Sequence, residues 1–192
     1  MMRQRVGQPF IADSNRVNSR GGLPAMTALR KLADAGDIKL LYTEEIQAEL
    51  ERCRNPKIRT ASRELSALFA KSLDDDEEED QRGRITRILF PNGLRSDNDR
   101  VDVDTIRVAQ LWTANVITND GASKTQPGGI LGAASRLHRE IGVQVMRDFE
   151  AEKLVARLIR ERDRLEILFA AKEGRDVAAW VRWELLHETE QS

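Results

Sequence analysis

Four short apolar runs constrain this chain more than anything else in it: Phe10–Asp13, Ile38–Tyr42, Asn115–Thr118 and Val143–Met146. Each is a short apolar run of the kind that becomes a buried parallel strand. Helical patterns separate them. Leu23–Ala35 places Leu23, Met26, Leu29, Leu32 and Ala33 on one face and then meets Gly36, a helix stop. Thr43 can cap the next helix, with Glu44 and Glu45 in its first turn and Ile46 and Leu50 turned inward. Strands that alternate with helices predict an α/β fold, three-layer α/β/α with a central mostly parallel sheet.

The remaining segments predict more helix. Residues 57–90 read as two helices, SRELSALFAKSL and RGRITRILF, around the acid run LDDDEEED, which reads as a solvated loop or frayed helix end. Asp104–Thr113 reads as a helix with Ile106, Ala109 and Leu111 apolar, preceded by the polar loop LRSDNDR. PGGILGAASRLHREIG begins loosely and then turns helical. After residue 147 the pattern changes to helix, a break near Gly174, and helix again. Phe149, Leu154, Leu158, Leu165 and Leu168 mark the first half; Val177, Trp180, Val181 and Leu185 mark the second. The expected division is therefore a domain over 1–147 and a helical extension over 148–192. That extension either packs on the domain or, since Trp180 and Trp183 are costly to leave in water, forms a surface for self-association or a partner.

Composition narrows the function classes. At 192 residues the chain suits one well-cored domain with a small appendage. No run approaches the roughly 18 apolar residues of a membrane helix, and the basic start MMRQRVGQPF lacks a following apolar stretch of signal length. A net charge of −1 argues against coating nucleic acid through bulk positive charge. A lone Cys53 excludes an internal disulfide and cannot by itself build a zinc site. The expectation is a cytoplasmic protein without a membrane partner.

Two of the apolar runs end on a carboxylate: FIAD stops at Asp13 and NVITND at Asp120. Ligands bind beyond the carboxyl ends of parallel strands, so the two acids converge if their strands are neighbours. Converging carboxylates repel unless protons or a cation neutralise them. Hard divalent ions with oxygen ligands suit that task. Asp104 starts the helix that feeds the NVITND strand, and Glu49 lies one turn beyond Glu45 on the helix after the second strand. Each acid also has an ordinary explanation. Asp104 can be a first-turn dipole partner, Glu49 a solvated helix residue and Asp120 the start of a turn with Gly121.

The stretches FIADSN, TEEIQAEL, DTIRVAQ and VITND, in that order and attached to strand ends, resemble the PIN domain, a superfamily of metal-dependent ribonucleases. The resemblance spans roughly residues 8–147. It implies an endoribonuclease using Mg²⁺ or Mn²⁺, with Asp13, Glu49, Asp104 and Asp120 as the acid cluster and Ser14, Asn15 and Thr118 supporting it. Asp102 competes for the third position, and the I..A spacing after Asp104 favours Asp104. An RNA substrate needs cations nearby, for which Arg16, Arg20, Lys124 and the Arg52–Arg63 segment are the candidates. The long stretch between Glu49 and Asp104 and the helical tail depart from compact members of the family.

Other readings are weaker. VDVDTI imitates a phosphatase signature, but that motif should follow an apolar strand and here follows a polar loop. His138 and His187 lie far apart and lack local partners, and glycine-rich phosphate loops are absent. Two rivals keep the fold: a toxin silenced by an antitoxin, and an inactive PIN-like module that recruits a partner through its tail.

Overall fold

The computed structural model describes residues 6–17, 23–53, 55, 66–68, 75–121 and 128–182. Five parallel strands form one sheet in the order β3-β2-β1-β4-β5. They are β1 (Pro9–Ala12), β2 (Lys39–Thr43), β3 (Ser66–Leu68), β4 (Asn115–Ile117) and β5 (Val145–Met146). The helices are α1 (Ser14–Val17), α2 (Pro24–Asp34), α3 (Glu44–Arg52), α4 (Asp75–Leu89), α5 (Asp97–Leu111), α6 (Gly129–Gly132), α7 (Ala134–Ile141) and α8 (Asp148–Glu173). α8 packs on α2, while α4 packs on α5 and α7, completing the three-layer α/β/α arrangement. Phe10, Ile11, Ala12, Val116 and Ile117 are fully buried, which is why these strands lack polar alternation. Among the described residues no helix is long and apolar enough to cross a membrane.

Strand order decides where a ligand can sit. From β1 the chain crosses to β2 on one side, and it later returns to place β4 on β1's other side. The β1/β4 border is thus a point where the winding reverses, and a crevice opens there beyond the strand ends. In register, Ala12 pairs with Ile117, so Asp13 and Thr118 leave the sheet side by side.

Several expectations need correction. SRELSALFAKSL was expected to be helical, yet Ser66–Leu68 within it is a strand that pairs with Leu41–Thr43. The acid run is helical from Asp75 onward and forms the first turns of α4, where the helix dipole favours acids and Glu78 pairs with Arg82 at 3.1 Å. α5 begins at Asp97, two turns before the expected start, because Ser96 and Asp99 form a reciprocal cap. The second tail helix is absent over 175–182, which run as turn and coil.

The tail is tied down by charge. Asp37, fully buried, accepts from Arg162 Nη1 at 2.9 Å and from Arg182 Nη2 at 2.6 Å. Asp163, also fully buried, accepts from Arg162 Nε at 2.8 Å and from the Arg182 N–H at 2.9 Å. Trp180 lies against the Arg162 guanidinium at 4.7 Å. The buried face of α8 is accordingly Ala151, Val155, Ile159, Arg162 and Asp163, with Leu154 and Leu158 half-buried. Phe149, Leu165 and Leu168 face solvent, contrary to the apolar-stripe expectation. Ala151, Val155 and Ile159 belong to the same core as the sheet. Trp183, Leu185 and His187 lie outside the described residues.

Candidate functional site

Asp13 leaves β1 with its N–H donating to the Ile117 carbonyl at 3.0 Å, which pins it to the end of β4. Its Oδ2 accepts from Thr118 Oγ1 at 2.7 Å and from Asn15 Nδ2 at 2.6 Å. Thr118 is fully buried, and its hydroxyl also accepts from the Asp120 N–H at 3.0 Å. One threonine therefore orients both acids. Asp120 Oδ2 accepts in turn from the Ile130 N–H at 3.1 Å, at the start of the helical turn α6. The hydroxyl of Ser14 hydrogen-bonds to Glu49, which reaches the same cleft from α3.

The acid that α5 turns into the cleft is Asp102, not the expected Asp104. Because α5 starts at Asp97, Asp104 lies two turns inside the helix instead of in its first turn. There it faces α4, accepting from Arg82 Nε at 2.9 Å and lying 3.5 Å from Arg107 Nε. Arg107 is buried and also lies 3.6 Å from Glu78, so Asp104 clasps α4 to α5. Asp102, two positions earlier, points into the cleft with Asp13, Glu49 and Asp120. Asp99 lines it as well, a residue the sequence reading missed; its spacing of three from Asp102 is the signal that could have placed it there. Asp99 is nevertheless occupied by capping. Its Oδ2 accepts from the Arg95 and Ser96 N–H groups at 2.7 and 3.1 Å, and these bonds hold its carboxyl low although burial opposes them.

The cleft encloses about 280 Å³, and among the described residues it is lined by five carboxylates with Ser14, Asn15, Ser96, Asn98 and Val101, and by no cationic side chain. The cost of that crowding falls on Asp102. Burial, followed by the charges of Asp13, Asp120, Asp99 and Glu49, pushes its carboxyl from 3.8 up to about 8. Burial also raises Asp13, with Asp120 adding to the rise and the Thr118 and Ser14 hydrogen bonds offsetting part of it. Glu49 is the most open of the four, yet desolvation along the cleft wall and the charge of Asp13 still lift its carboxyl. Among the described residues no three ligating side chains already close around a single point. The acids ring a cleft and do not form a finished coordination shell.

The expected substrate cations fare differently. Arg16 does not project into the cleft: its Nε donates to Asn15 Oδ1 at 2.8 Å and its Nη1 to Asp148 Oδ2 at 3.5 Å, so it braces the asparagine that holds Asp13. Arg20, Lys124 and most of the Arg52–Arg63 segment lie outside the described residues, and Arg52 is exposed at the end of α3. His138 is exposed on α7. The VDVDTI acids sit within α5 and not at a strand end.

Gly129 permits the seating of Asp120. Its φ is +58°, and a Cβ there would lie 2.5 Å from the Asp120 carbonyl oxygen and 2.7 Å from Oδ2. Gly129→Ala should therefore expel the Asp120 carboxylate and cost about 2 kcal/mol, lowering the melting temperature by about 4–8 °C. Thermal unfolding measures this, and an unchanged midpoint would show that Asp120 is not held against α6.

No protein-family model matches the chain, and no curated protein or solved structure is similar enough to it to count as a match.

Proposed function

We propose that this protein is a divalent-metal-dependent endoribonuclease of the PIN type. One observation carries the reading: Asp13, Glu49, Asp102 and Asp120, from four separate elements, face one cleft at the carboxyl edge of the sheet, and among the described residues no cationic side chain lines it. A structural role does not call for such a grouping, since replacing like charges with neutral residues would relieve it. The donor set, carboxylate oxygens without histidine or thiol, fits Mg²⁺ or Mn²⁺. Asp13, Asp102 and Asp120 would hold the ion, and Glu49, with its longer side chain, would close in from α3. Bound there, such an ion lowers the pKa of a water and neutralises charge on a phosphodiester under attack.

The chain's own residues prepare that chemistry. Thr118 and Asn15 fix the Asp13 carboxylate in one rotamer, leaving little reorganisation for ligation. The Ile130 N–H fixes Asp120 in the same way. A raised Asp102 carboxyl favours releasing its proton when a cation arrives, so ion affinity should climb with pH. Among the described residues no histidine or cysteine lines the cleft, and hydrolysis by water needs no side-chain nucleophile.

Incubating the protein with a mixed RNA pool and Mn²⁺ tests the reading. Cleavage should occur, should stop with EDTA and should be lost in Asp13→Asn. Cleavage that survives either control would refute the site.

A further inference from the structure

The outward face of α8 carries Lys153, Arg157, Arg160 and Arg164, at spacings of four, three and four residues. At about 100° per residue these four fall within roughly 60° of one another, and they span about 16 Å of helix. They lie opposite the buried face of Ala151, Val155 and Arg162. Lys153, Arg157 and Arg164 are exposed and Arg160 is half-buried. Lys153 sits over the Phe149 ring at 5.8 Å, and among the described residues none of the four has an ion pair or hydrogen bond. Cations elsewhere on the protein are spent on neighbours: Arg136 and Arg139 on Glu140, Arg175 on Glu166 and Glu173.

The row has a direction. Lys153, Arg157 and Arg160 form one wall of a groove whose other wall is the sheet-edge strand β5, through Val145 and Met146. Glu150, the one acid among the described residues lining that groove, already accepts from the Arg147 N–H at 2.7 Å. The Met146 carbonyl accepts from the N–H of Thr118, the residue that orients Asp13 and Asp120, at 3.0 Å. Asp148, the first residue of α8, meets Arg16 beside Asn15. The row therefore lies on the helix that leaves the sheet edge holding the acid cleft, and its first three cations flank β5.

We propose that this row is a track for the phosphate backbone of an RNA strand whose adjoining segment enters the acid cleft. The choice of RNA rests on the nuclease reading; the track itself rests on charge and position. A cleft lined by carboxylates repels a polyanion, so affinity has to come from outside it, and unpaired cations at phosphate-contacting spacing supply it.

Fluorescence anisotropy with a labelled single-stranded RNA of mixed sequence, in EDTA so that nothing is cleaved, tests this. The triple variant Lys153→Ala, Arg157→Ala, Arg160→Ala is compared with wild type and with Arg136→Ala, Arg139→Ala, which removes exposed charge elsewhere. The track predicts at least a tenfold loss of affinity in the triple variant alone. It also predicts a drop of about 2 in the steepness of the log affinity–log salt plot, from about 0.7 per phosphate contact. Circular dichroism checks that the triple variant is folded. Wild type that fails to bind RNA, a triple variant that binds like wild type, or an equal loss in the α7 variant overturns the track. Mn²⁺-dependent cleavage with unaltered triple-variant binding removes the track alone; row-dependent binding without cleavage leaves the track standing and removes the nuclease.

Discussion

Asp102→Asn should abolish Mn²⁺-dependent RNA cleavage, with a loss of about 10²–10³, whereas Asp104→Asn should retain it. The magnitude follows from removing an interaction worth about 3–4 kcal/mol at the reacting centre, each 1.36 kcal/mol being tenfold in rate. The two residues are neighbours but one in sequence and chemically identical, so nothing except direction separates them. Asp102 shares a cleft with Asp13, Glu49 and Asp120, while Asp104 is held by Arg82 and Arg107 on the other side of α5. Asp104→Asn carries a different signature. It weakens the partner of the buried Arg107 and should cost about 1–3 kcal/mol of stability. Initial rates and melting curves on both variants settle the pair: full activity in Asp102→Asn with none in a folded Asp104→Asn would reverse the assignment.

The second large effect concerns stability in EDTA. The Asp102 carboxyl is raised from 3.8 to about 8, so between those values the folded chain keeps a proton that the unfolded chain has released. Stability conferred by that proton is complete below about pH 4 and is lost as pH climbs through 8. Asp13 and Glu49, both raised, act in the same direction. Asp99 is lowered and acts in the opposite sense, its contribution being lost only as pH falls below the ordinary carboxylate range. At about 1.4 kcal/mol per pKa unit, the Asp102 rise sets a ceiling near 6 kcal/mol, of which neutralising one member of a mutually repelling group recovers roughly 2. Asp102→Asn should thus melt about 4–8 °C above wild type at pH 8 and close to it at pH 4.5. Wild type that equals or exceeds the variant at pH 8 would mean that the carboxylates do not crowd one another.

Strand positions were legible because burial on both faces leaves a short apolar run, as in Phe10–Ala12 and Val116–Ile117. β3 was not. Its Ala67 and Leu68 open the apolar run ALFA, but that run sits inside the helix-like stretch SRELSALFAKSL, and pairing of Ser66–Leu68 with Leu41–Thr43 makes it a strand. Asp13 could be placed because it directly follows β1, and Asp120 because it lies only three residues past β4, where direction varies little. Residues on a helix lack that anchor, since two positions apart means about 200° around the axis. A capping box at Ser96 and Asp99 moved the start of α5 and turned Asp104 away.

The sequence alone determined a parallel α/β layering, the two acids that end β1 and β4, and the Thr43 cap that aims α3 and Glu49. Tertiary structure decided which α5 acid joins them, and it routed the tail through Asp37, Arg162 and Asp163 instead of a second helix. The reason is range. Strand burial and caps are properties of a few adjacent residues, whereas the facing of a helix and the burial of an ion cluster depend on partners up to 145 positions away.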